Sequence, residues 1–276
     1  MTRVTCRFAR IALAATLLLA AAQPGHAACG NDGAGFSSWL EAFKGRAAAA
    51  GIRQAAIERG LAGLTYDANV VRLDRSQRSF KLSFEQFYAR RVSPSLLARG
   101  KQNLKTHAAL LSRIERQYGV PPSVIVSIWG LETNYGSDGS GRHSIVRSIA
   151  TLAYDCRRSA FFENELVSAL RIIDRGDMSP AEMRGGWAGE IGPMQFLPSS
   201  YVKYAVDFDT NGRKDLMRNL ADMLGSTGNY LKQKGWRAGQ PWGPGTHNFN
   251  VIREWNKAEV YVRTIAAMSQ RLSSSE

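Results

Sequence analysis

One carboxylate in this chain sits where a solvated acid has no reason to be. In Pro121 to Gly136, PPSVIVSIWGLETNYG, a proline at the first helical turn and a glycine at the end frame a helix. Its core face is Val124, Ile125, Ile128 and Leu131. Glu132 lies seven residues after Ile125 and four after Ile128, so a 3.6-residue period puts its carboxyl on the rim of that apolar stripe. Trp129 and Tyr135 flank it at three residues on either side. A carboxylate that loses hydration has a raised pKa, and a raised carboxyl suits a general acid near neutral pH. The alternative is a glutamate paired with an arginine inside the fold.

Two further stretches carry chemistry-bearing residues. GEIGPMQFLPSSY, from Gly189 to Tyr201, holds the amide of Gln195 between Met194 and Phe196, with a helix start at Pro198. It reads as a ligand-facing loop or as an ordinary structural turn. The run Asp207-Phe208-Asp209-Thr210-Asn211-Gly212-Arg213 has the Asp-x-Asp-x-Asn-Gly spacing of a calcium loop, although Arg218 stands where such loops place a bidentate Glu. An Asx-rich turn is the other reading. His107, His143 and His247 are dispersed. No His-Glu-x-x-His or Cys-x-x-Cys zinc pattern, phosphate-binding Gly-Lys-Ser/Thr loop or Gly-x-Ser-x-Gly elbow occurs.

The elements that must position these groups are helical. Apolar residues recur at i, i+3 or i+4 over 36–50, 54–61, 95–118, 122–133, 161–175, 220–234 and 255–272, while alternating strand-like runs are scarce. A mainly α fold with little β follows, organised as one domain over residues 29–276. The chain of 276 residues, 44% apolar and 21% charged, excludes a disordered tail, a fibre and a disulfide-dense miniprotein.

Residues 1–28 read as a secretory signal peptide: Arg3, Arg7 and Arg10 precede an apolar run from Ile11 to Ala22, shorter than the roughly 20 residues a membrane span needs. Its removal takes three arginines and no acid, lowering the net charge from +13 to +10. The basic character therefore belongs to the folded part and favours a polyanionic partner. Export argues against nucleic acid and for a periplasmic location. Cys6 falls in the leader, leaving Cys29 and Cys156 as an even pair for an oxidising compartment. A disulfide between them is expected; a free Cys156 and a lipid on Cys29 are the rivals, but His26-Ala27-Ala28 is a poor lipidation signal.

SIWGLETNYG, GEIGPMQFLPSSY, YAVDFDTNGRKDL and FNVIREWNKAEVYV, in this order over residues 36 to 272, together resemble the lytic murein transglycosylase B family. The resemblance implies a lysozyme-like α-rich catalytic core with an additional N-terminal helical part. It also implies cleavage of the β-1,4 bond between N-acetylmuramic acid (MurNAc) and N-acetylglucosamine (GlcNAc) in peptidoglycan, with the muramyl C6 hydroxyl closing a 1,6-anhydro ring. Glu132 matches the family's single acid/base. The substrate's own 2-acetamido oxygen supports the anomeric centre, which accounts for the lack of an obvious second carboxylate. Gln195, Phe196, Tyr230, Trp255 and Asn256 match cleft residues. Asp207, Asp209, Asn211, the carbonyl of Arg213 and the later Asp222 match a structural Ca²⁺ site, and no organic cofactor is implied. Glycan strands are the implied partner, with other cell-wall enzymes as further candidates. Gly186 stands where some members carry Ser, and Asp155 where some carry a cleft Tyr. Glu190 occupies a position that the family does not use for catalysis and reads as structural. A hydrolytic muramidase of the same fold and an inactive peptidoglycan-binding scaffold are the alternative functions.

Overall fold

The structure, a computed structural model, describes residues 29–76, 82–138 and 141–274. The leader with Cys6 lies outside these residues. Local sequence signals set the N-terminal helices. α1 (Phe36–Ala49) buries Phe36, Trp39, Leu40 and Phe43, and α2 (Gln54–Leu61) buries Ile57. α3 (Ala68–Arg75) is capped by the Asp67 carboxylate, which accepts the N–H groups of Asn69 and Val70. α4 (Phe84–Arg91) opens with a capping box between Ser83 and Gln86. The stretch expected as one helix over 95–118 is two: α5 (Pro94–Thr106) and α6 (Ala108–Tyr118) break at His107, which leaves helical geometry.

α7 (Pro122–Thr133) lies at the centre. Sequence spacing expected one buried face, but ten of its twelve residues are buried, including Ser123 and Ser127. The apolar stripe widens to the whole surface because α5, α6, α11 and α13 all pack on it. The helix ends at Thr133, and its cap is Asn134 in the left-handed region (φ 53°) rather than Gly136.

β1 (His143–Ser144) pairs antiparallel with β2 (Arg184–Gly185), with His143 opposite Gly185. Between them run α8 (Ile145–Tyr154) and α9 (Ser159–Arg175), which pack on each other. α10 (Pro198–Tyr204), α11 (Leu220–Gln233), α12 (His247–Trp255) and α13 (Glu259–Ser273) follow. The expected helix over 255–272 begins only at Glu259, because Asn256 is extended and its Oδ1 accepts the Ala258 N–H (3.0 Å). Buried apolar side chains form one continuous cluster from Phe36 to Leu272.

Ionic and covalent ties hold the first helices to the α8–α9 junction. Cys29 and Cys156 form a disulfide with Cα atoms 5.0 Å apart. Beside it, buried Asp155 accepts from Arg75 Nη2 (2.7 Å), and buried Asp74 accepts from Arg157 (2.5 Å) and Arg158. Among the described residues no helix is long and apolar enough to cross a membrane.

Candidate active site

Glu132 is the penultimate residue of α7 and keeps partial solvent access on a helix otherwise almost wholly buried. It lines a cleft of about 320 Å³ together with Glu190, Gln195, Phe196, Tyr230, Trp255 and Asn256. Two donors meet its carboxyl, and both land on one oxygen. Trp255 Nε1–H donates to Oε1 at 2.8 Å and Tyr261 Oη–H donates to Oε1 at 2.7 Å. Among the described residues Glu132 forms no ion pair. Arg91 on α4, whose charge acts on Glu132, spends its guanidinium on the carbonyl of Leu131.

Burial pushes the Glu132 carboxyl above its ordinary range, and the charge of Glu190 pushes the same way. The Trp255 and Tyr261 hydrogen bonds and the Arg91 charge oppose the shift. Burial and the neighbouring carboxylate hold the Tyr261 phenol well above its usual range, so it remains a donor. With Oε1 occupied by two donors, the proton of the neutral acid belongs on Oε2. Such a group can protonate a leaving oxygen and then take a proton back.

Trp129 and Tyr135 do not supply the expected setting for the carboxyl. They pack edge to face on each other, centroids 5.4 Å apart, and the Tyr135 hydroxyl donates to the Leu96 carbonyl. Trp255 and Tyr261 contact the carboxyl instead. Sequence spacing did not single out Tyr261.

The wall beside Glu132 is aromatic. Phe196, Tyr230 and Trp255 pack mutually edge to face, with centroid separations of 6.2, 5.2 and 5.0 Å. Phe196 is buried as the wall's backing, and the Tyr230 hydroxyl donates to the Glu254 carbonyl (2.6 Å). The loop from β2 to α10 folds back on itself: Ile191 and Phe196 exchange backbone hydrogen bonds, and Gly186 N–H donates to the Glu190 carbonyl. Gly192 has φ +66°, and a Cβ there would lie 2.0 Å from the Leu216 carbonyl oxygen, so only glycine fits. Gln195 adopts φ 55°, and its Nε2–H donates to the Gly192 carbonyl (2.8 Å) while the side chain lines the cleft. Thr133 ties the end of α7 to this loop by donating to the Pro193 carbonyl (2.7 Å).

The acidic loop is built around Asp222, fully buried in the first turn of α11. Its two oxygens accept the N–H groups of Phe208 and Asp215, both at 2.8 Å. Ligand atoms of Asp207, Asp209 and Asp222 lie within 4.8 Å of one another. Asn211 Oδ1 accepts the Arg213 N–H, and the Arg213 guanidinium points away to Glu182. Three convergent carboxylates, one buried, form an oxygen donor set that fits a hard divalent cation. Asp155 takes no part in the cleft, since Arg75 holds its carboxylate. No histidine lines the cleft among the described residues. Glu190, expected as structural, does line it.

A helix-borne acid thus faces a groove closed by a glycine-shaped loop and an aromatic wall within an α-rich core. SltB3 from Pseudomonas aeruginosa superposes with a TM-score of 0.80 at 31% identity, covering 87% of this chain and 80% of its own, in crystals with NAG-NAM-pentapeptide and NAG-anhNAM-pentapeptide. The chain belongs to the Transglycosylase SLT domain family, which its residues 35–247 match. Membrane-bound lytic murein transglycosylase B of Escherichia coli (strain K12) is 36% identical over 149 residues, 54% of this chain and 41% of that protein, so the match spans less than half of that relative. The Escherichia coli Slt35 structure in complex with calcium shares the fold at 23% identity and a TM-score of 0.73, covering 90% of this chain and 96% of its own.

Proposed function

We propose that this chain cleaves the β-1,4 MurNAc–GlcNAc bond of peptidoglycan without water, leaving 1,6-anhydro-MurNAc ends. The observation that carries the reading is Glu132, a half-buried carboxyl that has no ion-pair partner among the described residues and whose one oxygen is pinned by two donors while the other is left to the cleft. Glu132 as the neutral acid gives its Oε2 proton to the leaving GlcNAc oxygen as the C1–O bond breaks. The resulting carboxylate, steadied by Trp255 and Tyr261, takes the C6 hydroxyl proton as that oxygen bonds to C1. One residue serves both steps. Trp255 and Tyr230 offer aromatic surface to the apolar sides of a sugar ring, and Gln195 and Asn256 offer amides to its polar groups. The NAG-NAM-pentapeptide complex of SltB3 supports glycan strands as the partner.

Asp207, Asp209, Asn211, the Arg213 carbonyl and Asp222 would hold Ca²⁺, which supplies charge neutralisation to this loop and takes no part in bond cleavage. The disulfide supports an exported, periplasmic protein, since such bonds persist in oxidising compartments. Digestion of purified sacculi by the wild type and by Glu132→Gln, followed by mass spectrometry, tests the activity. Anhydro ends from the wild type alone are expected. Products heavier by one water identify a hydrolytic muramidase, and unaltered sacculi with retained binding identify a scaffold.

A further inference from the structure

Glu190 is a second acid in the same cleft, and the reaction above gives it no task. Its carboxyl lines the groove with Glu132, and its charge acts on Glu132. Its Oε2 accepts the Ala188 N–H at 3.0 Å, its own backbone N–H also faces the carboxyl, and among the described residues no other residue donates to Oε1. The position of the carboxyl depends on Gly186. A Cβ at Gly186 would lie 2.1 Å from Glu190 Oε2, so the carboxyl fills the space that any side chain at 186 would claim. Burial pushes the Glu190 carboxyl above its ordinary range, and its own backbone N–H, the Ala188 N–H and the Arg158 charge pull it back toward the ionised form; the Arg158 guanidinium itself is engaged by Asp74, and among the described residues Glu190 has no salt-bridge partner. An acid with one oxygen anchored to its own loop and the other open to a ligand groove is arranged as an acceptor for that ligand.

We propose that Glu190 is a further catalytic residue, whose Oε1 accepts the N–H of the 2-acetamido group on the MurNAc unit being cleaved. The assignment rests on the transglycosylase reading. As Glu132 protonates the leaving oxygen, the acetamido carbonyl oxygen bonds to C1 and the group becomes a positively charged oxazolinium. Its N–H stays on the Glu190 carboxylate, which stabilises the new charge without taking the proton. The C6 hydroxyl oxygen then bonds to C1, the acetamido oxygen departs, and the hydroxyl proton goes to Glu132. Glu190 ends each cycle unchanged. A fixed anion beside a developing cation acts in the transition state far more than in the ground state. The same charge, by repulsion, helps Glu132 keep the proton that it must donate.

The test compares wild type, Glu190→Gln, Glu190→Ala and the double variant Gly186→Ser/Glu190→Ala on a soluble muropeptide dimer. Glu190→Gln keeps an acceptor for the Ala188 N–H and loses the charge. We expect kcat to fall about 10- to 100-fold with KM within about twofold and an unchanged melting temperature. We also expect the alkaline limb of the pH–rate profile to move down, since Glu132 loses its repelling neighbour while Arg91, Trp255 and Tyr261 still face it. Affinity for the N-protonated thiazoline of N-acetylmuramic acid, a cationic mimic of the closed acetamido ring, should fall about tenfold or more, and affinity for N-acetylmuramic acid should fall far less. Serine at 186 places a hydroxyl in the vacated space without restoring the charge, so the double variant should do no better than Glu190→Gln, and recovery to wild-type kcat would overturn the role given to the charge. Wild-type kcat and pH profile in Glu190→Gln, or losses that track melting temperature alone, overturn the assignment. A wild type that yields no anhydro ends overturns the parent activity instead, so the two failures read differently.

Discussion

Removing the Tyr261 hydroxyl isolates how the protein sets the acidity of Glu132. That hydroxyl donates to Oε1 at 2.7 Å, and Tyr261→Phe deletes the donor while keeping the buried ring. The bond favours the ionised form more than the neutral acid, because a hydrogen bond to a charged group is worth about 1.5–3 kcal/mol and one between neutral groups about 0.5–1.5. The difference, about 1–1.5 kcal/mol, corresponds to roughly 0.7–1 pH unit at 1.36 kcal/mol per unit. Loss of the donor therefore raises the Glu132 pKa further. The alkaline limb of the rate profile, where the neutral acid disappears, should move up by that amount. The assay is the initial rate of anhydro-ended muropeptide release across the pH range, with circular dichroism confirming the fold. Trp255→Phe and Arg91→Gln should move the limb the same way and Glu190→Gln the opposite way. A limb that stays put or moves down in Tyr261→Phe refutes the proposed control of Glu132.

Other expectations follow from the same geometry. Because folding raises the Glu132 pKa, ionising it costs stability; the cost is absent below the unfolded pKa and grows as pH rises toward the folded value. Glu132→Gln should thus melt higher than wild type at alkaline pH, with the gap closing in acid, as read by calorimetry. Reducing the Cys29–Cys156 bond, which spans 127 residues, should lower unfolding stability by about 2–5 kcal/mol in denaturant titrations with and without reductant. Added Ca²⁺ should raise the melting temperature and a chelator reverse it, and Asp222→Asn should abolish the response without changing the cleaved bond.

Sequence periodicity located α7 from its proline start to Thr133 and put Glu132 beside the core, since both depend on local spacing. α8 was overlooked although Ile145, Ile149 and Leu152 recur at helical spacing behind a Ser144 cap, since the helix is only ten residues long and follows directly on the short strand β1. α3 and α4 were overlooked for another reason: they are short and arginine-rich, though the Asp67 cap and the Ser83–Gln86 capping box were readable signals of their starts. The convergence of Asp222 on Asp207 and Asp209 came from resemblance, because spacing alone favoured position 218, where Arg218 is exposed. Gln195, Phe196, Tyr230, Trp255 and Asn256 do line one cleft with Glu132, though residues 132 and 255 are far apart in sequence.

Tyr261 shows why part of the site was not legible. In one continuous helix over 255–272, six residues separate Trp255 from Tyr261, and at 100° per residue the two side chains diverge by about 120° around the axis. No single carboxylate oxygen could receive both. The chain instead leaves helical geometry at Asn256, whose side chain holds the Ala258 N–H, and restarts at Glu259 on a new axis. Two donors from different helices then reach Oε1 at 2.8 and 2.7 Å. The bend carries the acidity control of Glu132, and its signals, an Asn followed by a helix start, are too weak to override the strong apolar periodicity of the residues after it.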